Sequence, residues 1–233
     1  MTVLSRNARV AGLIYIAASL VGIVRLLYVP AKLIVQGNAA ATANNIAAHE
    51  LLFRAGIVSS IIGSALWLFV PLAFYRLLKD VDQPLAVLMV ILGALMQVPL
   101  FFVNTATDVG AVLFARADFL SVFDKAQRDA FVMLFLKLHH NLDLANATFW
   151  GLWLFPLGLL IYRSRFLPRF LGVWLMLGCF GWLAFSLTGF LSPGSEEKVF
   201  TWMQPLSFGE VATMFWLAIL GAKEPLTGMK TGG

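Results

Sequence analysis

The chain has 233 residues, of which 60% are hydrophobic and only 12% are charged, and its mean hydropathy is +0.85. Soluble domains carry roughly 45–50% apolar and about 25% charged residues, so this composition excludes an ordinary water-soluble protein and predicts an integral membrane protein. The formal net charge is +5, but the basic residues lie in short connections between apolar stretches, which argues against a nucleic-acid partner.

Six apolar stretches are predicted to cross the membrane as helices, because about 20 apolar residues are needed to span a hydrocarbon core near 30 Å thick. The expected fold class is therefore an all-α, polytopic transmembrane helix bundle. It forms one membrane-embedded domain, residues 1–233, with spans at about residues 10–29, 52–76, 84–104, 142–163, 168–191 and 205–222. The sixth stretch has the weakest pattern, since it is short and contains Glu210.

Three boundaries need separate interpretation. The length of the first stretch and the presence of Arg25 favour an uncleaved helix over a signal peptide. Thr42 is a candidate N-cap that would extend the second helix backwards through IAAHELLFRAG. Between the third and fourth spans, VGAVLFARADFLSVF and AFVMLFLKL are too short and too charged to cross, so we expect interfacial helices. Alternatively, AFVMLFLKL lengthens the fourth span. If AFVMLFLKL were buried in the membrane, the number of spans would be seven instead of six.

Charge placement predicts the orientation. An even number of spans places both termini on one side, where nine cations accompany only three acids. The positive-inside rule then predicts a multi-pass plasma-membrane protein with both termini cytoplasmic. The cations are Arg6, Arg9, Arg76, Lys79, Arg163, Arg165, Arg169, Lys223 and Lys230, and the acids are Asp80, Asp82 and Glu224.

Two segments of the chain, residues 66–93 and 152–178, are similar to each other. Their alignment pairs Trp67 with Trp153 and Pro71 with Pro156, and each copy has the pattern of a two-helix hairpin. Both copies run in the same direction, so we predict a parallel internal repeat related by an axis along the membrane normal. The matched prolines are expected to kink their helices.

The second copy also carries a family resemblance. FWGLWLFPLGLLIYRSRFLPRFLGVWLMLG, with HHNLDLAN before it and GEVATMFWLAILG after it, resembles the uncharacterised bacterial membrane family catalogued as domain of unknown function 4386. The similarity covers nearly the whole chain, from RNARVAGLIYIAASLVGI to the last span. The resemblance implies a membrane protein of six or seven helices, and no established activity comes with it.

Polar side chains inside the predicted spans gather at one depth, the outward end, although a charged residue at the centre of a span costs about 3 kcal/mol on insertion scales. This pattern predicts a polar vestibule that opens outward. Spacings of three and four residues place several of its members on shared helix faces. The candidate vestibule residues are Arg25, His49, Glu50, Arg54, Asn104, Asp108, His139, His140, Asp143, Asn146 and Glu210.

We consider three functions for the vestibule. The first is a structural ion-pair network, or a site that binds a lipid headgroup or a small ligand, with the lipid bilayer as partner and no cofactor. The second is a metal-dependent intramembrane hydrolase, in which a divalent ion such as zinc binds His139, His140 and Asp143 and a carboxylate acts as general base. An HExxH motif is missing, and the single Cys179 cannot form a metal cluster. The third is a transporter, and the sequence decides neither catalysis nor oligomeric state.

Overall fold

The computed structural model describes residues 2–116 and 122–223, and within these ranges the regular structure is helical. The predicted all-α, polytopic bundle is confirmed. We number the helices in chain order, joining segments that continue through a π-helical turn or a single irregular residue. The helices are α1 (Val3–Leu33), α2 (Ala39–Ala48), α3 (Glu50–Leu78), α4 (Gln83–Arg116), α5 (Lys125–Ser164), α6 (Arg169–Leu191) and α7 (Glu196–Ile219).

Five helices, α1, α3, α4, α5 and α6, are long and apolar enough to cross a membrane. Several extend well past the predicted spans, since α4 has 34 residues and α5 has 40. The predicted sixth span corresponds to α7, which has 24 residues but starts with Glu196 and Glu197 and is less apolar than the other five. It packs along α1 and α6, so it completes the same bundle.

The predicted N-cap at Thr42 was wrong. The helix that precedes α3 is a separate element, α2, capped by Asn38, whose side chain accepts a hydrogen bond from the Ala41 amide at 2.9 Å. The backbone leaves the helical conformation at His49 (φ −119°, ψ 41°), between α2 and α3. Thr42 lies inside α2, and its hydroxyl donates to the Val35 carbonyl at 3.1 Å, which ties α2 to the end of α1.

In the described residues, the two stretches between the third and fourth predicted spans are not the separate interfacial helices that we expected. All of VGAVLFAR continues α4 to Arg116, and AFVMLFLKL lengthens α5, which is the alternative that the sequence left open. The two extensions cover each other's apolar faces: Phe114 stacks on Phe131 with ring centroids 4.6 Å apart, and Gly110 leaves room for Phe135. Residues 117–121 lie outside the described ranges.

The connections 79–82 and 165–168, together with the start of α1, mark one end of the bundle, which we call the hairpin end. The chain after α7 returns there, because the Lys223 amide donates to the Phe166 carbonyl at 3.0 Å. The opposite end, with residues 34–38, 122–124 and 192–195, is called the far end. The cations that the sequence assigns to one side lie at the hairpin end, except that Lys230, like Glu224, falls outside the described residues.

Both predicted hairpins are present, α3 with α4 and the second part of α5 with α6. Arg163 donates to Asp82 at 2.8 Å and so joins their turns. The helical pattern of α5 is interrupted at Trp153, since Pro156 has no amide to donate to the carbonyl four residues earlier. Pro71, its counterpart, lies inside α3 without interrupting it. That the hairpins arose by duplication stays a prediction.

The half of the bundle near the hairpin end is tightly packed. Its core includes Phe74, Trp153, Leu157 and Leu160, which are all fully buried. Glycines bring α5 and α6 into backbone contact, because a Cβ at Gly158 would lie 2.5 Å from the carbonyl oxygen of the facing helix. Small residues serve this purpose in many membrane helix pairs.

Candidate functional site

A cavity of about 440 Å³ lies inside the bundle. Each helix except α2 contributes to its wall, which is largely apolar and aromatic and carries a few polar groups. Pockets that bind small molecules usually enclose about 300–1,000 Å³ and have this mixture of a hydrophobic wall and a few polar contacts. The cavity is therefore the candidate functional site of the described residues.

Arg25 reaches the cavity from an unusual position on α1. It lies in a π-helical turn, Val24–Tyr28, a distortion that is frequent at functional sites. Gly56 on α3 makes room for it, because a Cβ there would lie 3.3 Å from the Arg25 Cδ. The arginine is only 5% exposed, so it points into the bundle rather than to the membrane boundary.

The charge of Arg25 is matched by Asp108 on α4. The guanidinium donates Nε to Oδ2 at 2.7 Å and Nη2 to Oδ1 at 2.5 Å, a bidentate pair that is almost completely buried. Charge-assisted pairs with this geometry combine strength with fixed orientation. Asp108 lies behind Arg25, outside the cavity wall itself.

His139 on α5 links this pair to a second carboxylate. Its Nδ1 lies 3.0 Å from Asp108 Oδ1, and its Nε2 lies 3.4 Å from Asp143 Oδ2. Asn104 donates to the other oxygen of Asp143 at 2.6 Å. The structure thus brings together five of the predicted vestibule residues, Arg25, Asn104, Asp108, His139 and Asp143, which we call the Arg25 cluster.

Glu210 occupies a deeper level than the sequence indicated. Its carboxylate accepts hydrogen bonds from the Tyr15 hydroxyl and from Trp182 Nε1, the latter at 2.9 Å. Tyr15 and Arg25 lie ten residues apart on α1, which corresponds to about 15 Å along the helix. The error arose because α7 begins at Glu196, so that Glu210 lies in its second half instead of at its entry.

Aromatic side chains from five helices connect Tyr15 with Trp182 around the cavity wall. Successive ring centroids are 5.5, 6.4, 6.4 and 5.2 Å apart, and the two terminal members meet at Glu210, which closes the circuit. We call this arrangement the aromatic cage. Its members are Tyr15, Trp67, Phe101, Trp150 and Trp182, with Glu210 of α7 as the closing residue.

Sequence reasoning missed the aromatic cage, because its five aromatic members lie on five different helices and form no local motif. One signal was available: Trp150 lies on the same helical stripe as His139 and Asp143, which precede it by eleven and seven residues. Nothing in the spacing of Tyr15 or Trp182 indicated that these residues would meet at one carboxylate.

The cavity opens sideways, between α1 and α7. Near the hairpin end these helices are in backbone contact, since a Cβ at Gly12 would lie 2.7 Å from a carbonyl of α7. Toward the far end, the lining residues Ile23 and Leu26 of α1 and Val211 of α7 are 44%, 55% and 39% exposed. All other lining residues are buried or half-buried. We call these three apolar residues the lateral mouth, which in a bilayer faces acyl chains.

Three predicted vestibule residues at the far end lie away from the cavity. Glu50 and Arg54 form the expected pair at 2.7 Å, and Arg116 adds a second contact to Glu50 at 2.9 Å. His49 is exposed at the junction of α2 and α3. These residues were misplaced because depth along a helix is visible in a sequence, whereas the direction in which the helix face points is not.

Two predicted residues on α5 also face away. His140 is exposed, and its Nε2 lies 3.7 Å from Glu196. Asn146 is buried outside the cavity wall, and its side-chain oxygen has no hydrogen-bond partner in the described residues. Adjacent helical residues point about 100° apart, so His139 and His140 cannot both face one point.

The predicted metal ligands His139, His140 and Asp143 therefore do not converge. Within residues 2–116 and 122–223, no group of three His, Cys, Asp or Glu side chains is placed to hold a metal ion. The geometry gives the hydrolase hypothesis no metal centre of the expected composition. The expectation that the protein uses no cofactor stays a prediction.

Comparisons with known proteins agree with the family resemblance. A family model described as "Domain of unknown function (DUF4386)" matches residues 10–221. An "Uncharacterized protein" of Archaeoglobus fulgidus is 36% identical over 75 residues, which represent 32% of this chain and 43% of that protein. The chain thus spans less than half the length of this archaeal relative. No solved structure matches the chain.

Proposed function

The chain belongs to the DUF4386 family, which brings no assigned activity with it, and from the geometry we propose that it binds an amphipathic molecule taken laterally from the bilayer. The observation that carries this proposal is the lateral mouth. It joins a cavity of about 440 Å³, which is large enough for a small ligand, to the surface that faces the acyl chains.

Entry from the bilayer is favoured over entry from water at the far end. The Arg25 cluster lies at that end of the cavity, and its arginine and aspartate are held together by two hydrogen bonds of 2.7 and 2.5 Å. A ligand that entered from water at the far end would have to separate the buried Arg25–Asp108 ion pair, which costs free energy. The lateral mouth has an apolar rim, so the apolar part of an amphipathic molecule can pass from the acyl chains into the cavity without leaving an apolar environment.

The distribution of cations supports an orientation with the hairpin end in the cytoplasm, as the positive-inside rule indicates. The lateral mouth and the Arg25 cluster then lie toward the outer leaflet of a plasma membrane. This orientation keeps the vestibule hypothesis in a modified form: the polar groups stand inside a cavity that opens toward lipid rather than toward the outer solution.

Binding accounts for the site better than transport or hydrolysis. A transport path would have to cross the half of the bundle near the hairpin end, where Phe74, Trp153 and Leu157 are fully buried. A hydrolase would need an activated nucleophile, and the imidazole of His139 is occupied by carboxylates on both sides.

Filling the cavity tests the proposal. A Cβ at Gly22 meets no heavy atom within 4 Å, so the side chain of Gly22→Phe would extend into the cavity. We expect this variant to retain at least about tenfold less bilayer-derived ligand than the wild type, equivalent to about 1.4 kcal/mol of binding free energy. The measurement is native mass spectrometry of protein released from nanodiscs of phosphatidylethanolamine and phosphatidylglycerol.

Leu20→Phe is the matched control, because Leu20 lies two residues away on α1, is 62% exposed and does not line the cavity. It should retain as much ligand as the wild type. Equal retention by wild type and a folded Gly22→Phe variant would contradict the proposal, as would a wild type that carries no bound molecule.

A further inference from the structure

We infer that the bound molecule is an organic cation with an apolar body, whose charged centre lies against Glu210 inside the aromatic cage. The relevant chemical class comprises hydrophobic amines and quaternary ammonium or phosphonium ions. This inference rests on the proposed function, because it names the class of ligand that the same cavity takes.

The charges around the cavity favour a cation. Among the described residues, Arg25 is the sole lysine or arginine on the cavity wall, and Asp108 already matches its charge in a bidentate pair. Two further carboxylates, Asp143 and Glu210, face the cavity. His139 is the one other residue on the wall, as far as the structure describes the chain, that can carry a positive charge. With the carboxylates ionised, these five groups carry a net charge of −2 when His139 is neutral and −1 when it is protonated.

The same charges disfavour an anionic headgroup. A phosphate or carboxylate in the cavity would need a free guanidinium or ammonium group, and the hydrogen-bonding fork of Arg25 is engaged by Asp108. It would also stand close to Asp143 or Glu210, both of which line the cavity. The ligand is therefore cationic where it meets the protein.

Glu210 is the charged group that lacks a counter-ion. Within the described residues, no lysine, arginine or histidine lies within 4.0 Å of its carboxylate; its partners are the Tyr15 hydroxyl and Trp182 Nε1. A carboxylate inside a membrane bundle ordinarily pairs with a cation or marks a ligand path. The two donors fix the orientation of the carboxylate and leave it on the cavity wall, where a ligand cation can reach it.

The aromatic cage supplies the second half of such a site. Trp67, Trp150 and Trp182 line the cavity around Glu210, and tryptophan is the side chain that attracts cations most strongly through its π-electrons. Aromatic cages are a recurrent means of recognising quaternary ammonium groups. A carboxylate within an aromatic wall thus selects for both charge and apolar character.

The position of the lateral mouth fits the same ligand. Val211, a residue of the mouth, follows Glu210 directly on α7, and both line the cavity. A cation that enters between α1 and α7 can keep its apolar body at Ile23 and Leu26 while its charged centre approaches Glu210.

The experiment compares two ions of the same shape and opposite charge, tetraphenylphosphonium and tetraphenylborate. Binding is measured by equilibrium dialysis against protein in nanodiscs made of phosphatidylglycerol alone, with empty nanodiscs subtracted. The wild type should bind the phosphonium saturably, and the borate should neither bind saturably nor compete. Glu210→Gln should raise the Kd for the phosphonium at least about tenfold. Saturable binding of both ions with similar affinity would overturn the inference.

Glu197→Gln is the matched control, since Glu197 is an exposed residue of the same helix, and it should leave the Kd unchanged. If Glu210→Gln does not fold, Trp150→Leu replaces it: this half-buried member of the aromatic cage does not hold Glu210 and should raise the Kd several-fold. An unchanged Kd in a folded Glu210→Gln or Trp150→Leu variant would also overturn the inference.

Two competitors identify the source of the cation. Displacement of tetraphenylphosphonium by dodecylamine indicates that the natural ligand is a free hydrophobic amine. Loss of tetraphenylphosphonium binding when phosphatidylethanolamine is added to the nanodiscs indicates an amine-bearing lipid. If neither compound displaces tetraphenylphosphonium, the assignment of an amine is overturned. The outcomes also separate the two proposals. If Gly22→Phe loses a bound molecule but no cation binds, the cation inference fails and lateral binding stands. If Gly22→Phe changes neither the retention of a bilayer-derived molecule nor the binding of a cation, the cation inference and the proposal of lateral binding both fail.

Discussion

Replacement of Asp108 with asparagine is expected to lower the free energy of unfolding by about 3–5 kcal/mol, because it leaves the buried Arg25 without its counter-ion. The aspartate is fully buried and contacts both Arg25 and His139, so water cannot replace it. The measurement is the thermal unfolding midpoint in detergent, together with the fraction of protein that remains monodisperse.

Two comparisons show whether the loss comes from the unpaired charge. The double variant Arg25→Met with Asp108→Leu removes both charges and should recover most of the stability, as apolar replacement of buried pairs often does. Arg54→Gln breaks a pair whose arginine is 54% exposed and should cost less than about 1 kcal/mol. A double variant no more stable than Asp108→Asn would mean that the pair is not the reason for the loss.

Replacement of Gly158 with valine should disrupt the bundle by a different mechanism. A Cβ at this position would lie 2.5 Å from the Gly172 carbonyl oxygen and 3.0 Å from the Met176 amide nitrogen. These are backbone atoms of α6, so α5 and α6 would have to separate. We expect a loss of about 3 kcal/mol or more, at the upper end of the usual cost of overpacking.

The yield of monodisperse protein and its unfolding midpoint measure this effect. Gly22→Ala is the control, since its Cβ meets open space, and alanine in a helix is favoured over glycine by up to about 1 kcal/mol. The control should be as stable as the wild type or slightly more so. If Gly158→Val unfolds at the same temperature as Gly22→Ala, the close contact of α5 and α6 is not needed for stability.

The features that could be predicted from the sequence are those that depend only on the position of a residue along the chain. Hydropathy along the chain identified the membrane class, and the positions of Arg25, Asp108, His139 and Asp143 within their helices placed them at one depth. Residues at the same depth on several helices must lie near one plane of the bundle, so the Arg25 cluster could be anticipated without knowing how the helices pack.

The features that the sequence did not reveal depend on the rotation and tilt of each helix. His49 and His140 have the expected depth but face away from the cavity. The π-helical turn Val24–Tyr28 changes the direction of Arg25 relative to a regular α-helix, and no residue pattern marked it. The aromatic cage and the lateral mouth are likewise assembled from side chains on different helices, so neither appears as a local motif.

Photolabelling from within the bilayer tests lateral access to the cavity most directly. A diazirine-bearing fatty amine is dissolved in nanodiscs and activated by light, and its adducts are located by mass spectrometry of peptides. Lateral binding predicts adducts on Trp150 and Glu210 that disappear in Gly22→Phe, while adducts on the lipid-facing Phe180 and Leu187 persist. Labelling confined to outward-facing residues, with Trp150 and Glu210 unmodified in the wild type, would contradict it.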